Sequence, residues 1–254
     1  MTRIATRLSI ACVAAAAAFH VSGCSTGQDT SESEISARYQ LPDVVQYNYR
    51  WSAESGINLL GPDATVVRAY FESYYIASFA HSTAAGYPGF ENATEDVAYD
   101  PPRHRAINDR TNYNPLPIVG TFHAHLLSIE RNDFGMQAVV CEGDYSLMDL
   151  RRDGTYTNRG VRIPTAMQIE FTPGSAGITD TARYAEGPER TPQNDVFGGW
   201  TVTRHAFSTG NFDDNLACQH KFPDPPETRS ERINETFTVP YPTLPPYPGW
   251  SSSQ

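Results

Sequence analysis

Residues 121–147 constrain the fold more than any other stretch of this chain. Phe122, Ala124, Leu126 and Ser128 alternate with His123, His125, Leu127 and Ile129, and a period of two marks a strand with two distinct faces. Asn132-Asp133-Phe134-Gly135 follows as a turn, and 136–147 is a second run of the same kind, so a β-hairpin is expected. A hairpin of this length must have at least one face covered. The cover is expected from 64–80, where Val67, Tyr70, Phe71, Tyr74 and Ser78 recur at helical spacing and Tyr75 and Phe79 widen the stripe. Gly61-Pro62-Asp63 opens that helix, with Asp63 as candidate cap, and Gly86-Tyr87-Pro88-Gly89 closes it.

Residues 166–171 and 200–208 read as two further strands, the second with Val202, Arg204 and Ala206 opposite Thr201, Thr203 and His205. The expected fold class is α+β: an aromatic helix packed on a curved antiparallel sheet of about four strands. Residues 41–60 mix aromatic and polar groups without a clean period and stay unassigned. Residues 91–119, with Pro101, Pro102, Pro115 and Pro117, read as a long irregular connection. The stretch 222–250 holds eight prolines. It favours polyproline II and cannot build a ladder, so it either wraps the domain, stays loose or engages an aromatic groove on a partner. The organisation read from these features is a leader at 1–23, a polar tether at 24–40, one domain at 41–222 and a Pro-rich tail at 223–254.

The chain is acidic, with a formal charge of −10. That excludes a nucleic-acid binder, which needs clustered Lys and Arg to neutralise phosphate. The first two dozen residues carry an address. Arg3 and Arg7 precede an alanine-rich apolar run at 10–19, too short to cross a bilayer core of about 30 Å. Val21-Ser22-Gly23-Cys24 follows and resembles the lipobox of bacterial lipoproteins. The resemblance implies a diacylglycerol thioether on Cys24 and cleavage before it. The protein would then sit at the cell membrane, on its extracytoplasmic side. Two acyl chains give stable attachment where one is marginal. Eighteen arginines against the single Lys221 match the codon usage of a GC-rich, for example actinobacterial, genome.

With Cys12 in the leader and Cys24 lipidated, Cys141 and Cys218 remain. An even pair in an oxidising compartment favours a disulfide, the alternative being two buried thiols. There is no CxxC, no GxSxG, no HExxH and no Gly-rich phosphate loop.

The stretches 64–79, 120–147 and 200–208 together resemble the NTF2-like (SnoaL-like) α+β cone. That resemblance implies a chamber between helix and sheet, in whose mouth the family's enzymes keep acid–base pairs. Here His123 or His125 would pair with Asp144 or Glu142. His123-x-His125-x₄-Glu130 is also similar to the first cupin metal motif, with His205 available as a third imidazole. The leading expectation is a non-enzymatic, lipid-anchored envelope protein without metal or cofactor. It would bind a small apolar ligand, near His123 and His125, or another envelope component. The alternatives are an NTF2-like enzyme with a His-based acid–base pair and a His-x-His metal-binding protein.

Overall fold

Aromatic residues on alternate positions build a strand that the sequence pattern leaves unassigned. In a computed structural model of the chain, which describes residues 38–94, 107, 110, 114–175, 177–207, 211–231 and 236–252, Val45, Tyr47, Tyr49 and Trp51 all point inward from strand β1, Val45–Ala53. The leader, Cys24 and most of the tether lie outside the described residues. Helix α1, Pro62–Ala80, follows. After a short helix α2, Phe90–Ala93, come β2, Ile118–Asn132, and β3, Gly135–Leu150. Then β4, Tyr156–Asn158, β5, Thr165–Pro173, β6, Trp200–Ala206, and helix α3, Phe212–Cys218, follow. Among the described residues the strands form one sheet in the order β1-β2-β3-β5-β6, with β4 on β3. The class is α+β as expected. The sheet, however, is mixed and six-stranded rather than antiparallel and four-stranded, because β1 runs parallel to β2.

Two local irregularities change which side chains face the core. A bulge between the Leu126 and Ser128 pairings reverses facing in β2, so Ile129 packs with the inner core. A second, where β5 passes from Glu170 to Phe171, does the same in β6 and turns His205 inward beside Val202.

Helix α1 starts with Pro62 at its first turn behind Gly61, and Asp63 makes no cap bond. Asp63 instead pairs with Arg131 at the far end of β2. The helix ends at His81, whose left-handed conformation (φ 53°) lets its N–H close on Ala77 and Ser78, five residues before the Gly86 stop. Between α1 and the sheet the space is filled. Phe122 meets Phe71 at 5.5 Å and Tyr75 at 4.7 Å between ring centroids, and Trp51 meets Phe71 at 5.1 Å. Such aromatic pairs add about 0.5–1.5 kcal/mol each beyond their burial.

The opposite side of α1 is buried too, beneath the Pro-rich tail. Arg68 donates to the carbonyls of Ala185 (2.8 Å), Pro248 (2.9 Å) and Gly249 (3.2 Å) and lies 4.5 Å over the Trp250 ring. One turn on, Glu72 accepts from Trp51 Nε1 (2.7 Å), the Tyr87 hydroxyl (2.6 Å) and Trp250 Nε1 (2.9 Å). The tail also lines the outer edge of β1, where Trp51 N–H donates to Tyr247 and Tyr247 N–H to Tyr49. Prolines suit an edge that needs only occasional donors. Residues 38–254 form one compact unit that includes the tail.

The second face of the sheet is covered by α3 and the chain after it. The Cys141–Cys218 disulfide joins β3 to α3 across 77 residues. Around it Val139, Tyr145, Ala166 and Phe222 make a small separate core.

Candidate functional site

The strand pairing decides where each histidine goes. His125 stands opposite Cys141 and His123 opposite Gly143, so both project from the outer face, under the disulfide-tied cover and not toward α1. His123 lies parallel to the Tyr145 ring (5.3 Å) and edge-on to Phe222 (6.4 Å). Burial pushes its pKa down to about 4, against the opposite pull of Asp224, so it is a neutral packing ring at pH 7. Behind it Tyr145 donates to Asp224 (2.8 Å), while Arg229 Nε bonds the Asp224 carbonyl (2.9 Å). The Arg229 guanidinium faces Tyr145 and Phe222 at 5.2 and 5.6 Å.

His125 is held differently. The parallel register sets Ser52, the penultimate residue of β1, directly beside it, and Ser52 Oγ lies 2.8 Å from His125 Nδ1. Glu54, two residues on, places Oε1 3.3 Å from His125 Nε2 and is ion-paired with Lys221. The Lys221 bond holds the Glu54 carboxyl below its usual range, with His125 adding to the effect. Burial lowers the His125 pKa, with Glu54 opposing. An ionised carboxylate only accepts, so the shared proton sits on Nε2. Nδ1 is then free to accept from Ser52. Ser52 itself is exposed, whereas His125 is buried. An accessible hydroxyl and a neutral base thus line up on two adjacent strands, with an orienting carboxylate just past the end of β1.

The His–carboxylate pairing expected with Asp144 or Glu142 does not form. Glu142 is paired with Ala124 and faces α1, so the sheet stands between it and both histidines. Burial raises the Glu142 pKa to about 8, with Asp144 adding to the rise. The Tyr75 hydroxyl is near enough to favour its ionised form, though not at hydrogen-bonding geometry. His205 is also inside, 2.9 Å from the Tyr70 hydroxyl and fully buried, so it cannot join His123 and His125 in a cupin-like set. Glu130, turned by the bulge onto the histidine face, pairs with Gln137 at the exposed end of the hairpin. Among the described residues no three His, Cys, Asp or Glu side chains are grouped to hold a metal.

Sequence reasoning missed Ser52 and Glu54 because β1 was unassigned; the Val45, Tyr47, Tyr49, Trp51 alternation is the signal that finds them. A surface cleft of about 480 Å³ lies between Pro42, Val44, Ala80, Leu116 and Arg152, and no histidine lines it. No helix among the described residues is long and apolar enough to cross a membrane. No protein-family model, curated protein or solved structure matches the chain.

Proposed function

We propose that this is a lipid-anchored envelope protein, held by diacylglycerol on Cys24 at the extracytoplasmic side of the cell membrane. Its folded domain serves as a closed scaffold that binds another envelope component on its surface. The observation that supports the scaffold reading is the aromatic packing between α1 and the sheet. A helix laid on one face of the sheet, in the manner of an NTF2-like cone with its interior filled, belongs to the same reading. The Cys141–Cys218 bridge accords with an oxidising compartment. Fractionation of cells expressing Cys24→Ala tests the anchor: the variant is expected in the soluble extracytoplasmic fraction and the parent in membranes. A variant that stays with the membrane overturns it.

A second reading has its own support. His125, between Ser52 and Glu54, is arranged as a general base, so the acid–base chemistry expected of a histidine in this chain falls to His125 and not to His123. Loss of an activity in His125→Gln with retention in His123→Phe is the expected result. The opposite ranking refutes it.

A further inference from the structure

We infer that Ser52 is a nucleophilic hydroxyl that accepts acyl groups from carboxylic esters, with His125 as its base and Glu54 orienting the imidazole. This rests on the second reading, His125 as general base, and adds the reacting atom and the substrate class.

Three conditions make a serine hydroxyl a nucleophile: access, a neutral base at hydrogen-bonding distance, and a group that fixes the base's tautomer. Ser52 is exposed. His125 Nδ1 lies 2.8 Å from its Oγ. Glu54, neutral in no part of the physiological range while Lys221 holds it, keeps the proton on Nε2 and turns the lone pair of Nδ1 toward Ser52. Ser52 and His125 sit on paired residues of adjacent strands, so the ladder and not a loop sets their separation. The order of ring nitrogens, Nδ1 to the hydroxyl and Nε2 to the carboxylate, follows from Glu54 lying beyond the end of β1.

As Oγ attacks the ester carbonyl carbon, its proton passes to Nδ1, and Glu54 stabilises the imidazolium through Nε2–H. The tetrahedral adduct collapses with loss of the alkoxide, which takes that proton and leaves as the alcohol. Water then gives a proton to Nδ1 and attacks the Ser52 ester; acid is released and Oγ–H restored. The net reaction is ester plus water to acid plus alcohol. Esters, with their better leaving groups, fit an open site better than amides, which demand more binding energy than an exposed hydroxyl collects.

The test treats the purified intact chain with a fluorophosphonate probe and maps the labelled peptide. Ser52 is expected to label, with loss in Ser52→Ala and a slowing of about 10²-fold in His125→Gln. The rate on the parent chain should fall as acid protonates His125, with a midpoint below the ordinary 6.5. That profile serves even where His125→Gln fails to fold. Labelling of Ser52 no faster than in denatured protein, or a rate indifferent to His125, overturns the inference. Nitrogen-15 NMR separates the two levels. A protonated or Nδ1–H imidazole at pH 7 sinks the second reading, whereas an Nε2–H imidazole beside an unreactive Ser52 sinks only the nucleophile.

Discussion

The two faces of the sheet are closed by different means. The inner face is sealed by a nineteen-residue helix, stacked aromatics and a buried polar clasp in which Arg68 and Glu72 fix the tail through Trp250. Among the described residues the outer face has a seven-residue helix and an irregular strap for cover, and there a disulfide supplies what packing does not. Apolar area scales the first solution, and chain entropy the second. His125, Glu54 and Lys221 are joined on the outer side. A face with little apolar cover has room to keep polar side chains ready for chemistry.

The sharpest way to break this contrast is to remove the clasp. Trp250→Ala deletes a fully buried ring and one donor to Glu72, and leaves the Arg68 guanidinium without its aromatic partner. A loss of about 4 kcal/mol is expected by urea titration, at the upper range for a core aromatic. Deleting 236–254 should unfold the inner face outright, since β1 loses its edge partner as well. A truncated chain that melts like the parent would make the tail an accessory.

Cutting the disulfide tests the other face. Replacing Cys141 and Cys218 by serine should cost about 4 kcal/mol by the chain-entropy account. Hydrogen exchange localises the damage. Amides of 212–231 are expected to lose protection by more than those of α1, and a uniform loss would refute separate closure of the two faces.

Titration sharpens the comparison further, because the faces respond to pH in opposite directions. His123 has its folded pKa lowered to about 4, so the unfolded chain takes up its proton first and stability falls as pH drops from 6.5 toward 4. Glu142 has its folded pKa raised to about 8, so stability falls as pH rises from 4.5 toward 8, where the unfolded carboxyl ionises and the folded one resists. The cost is at most about 3 kcal/mol for His123 and about 5 kcal/mol for Glu142, less where solvent reaches the group. His123→Phe is expected to flatten the acid side of a stability–pH curve and Glu142→Gln the neutral side. Exchanged effects would mean that the burial of the two has been assigned to the wrong faces.

Much of the inner face was legible in the sequence, and little of the site. The hairpin and α1 announce themselves by period, and the bridge by elimination once two cysteines remain. Strand β1 hid behind its tyrosines, whose hydroxyls make an alternating run look half polar, and its partner β2 begins more than seventy residues later. Bulges leave no mark on composition, yet they decide that His205 is inside and Glu130 outside. Ser52 and Glu54 inherit the obscurity of β1, so a histidine pair was visible without the two residues that give His125 its role. Trp250 and Glu72, separated by 178 residues, share no local signal at all.

The smallest expected effect concerns the rim between the faces. Arg131 reaches from the end of β2 to Asp63 in the first turn of α1, with Nε donating at 2.8 Å and Nη2 to the second oxygen. The pair is two-pronged, and Asp63 also sits where the helix dipole favours a negative charge. Against this, the Arg131 side chain is 56% exposed, so water and salt screen most of the attraction. Asp63→Asn keeps the shape and removes the charge, and should cost about 0.5–1 kcal/mol at low salt, shrinking in 1 M salt. A cost several times larger, indifferent to salt, would mean that the inner face is held shut by this contact and not by its aromatic packing.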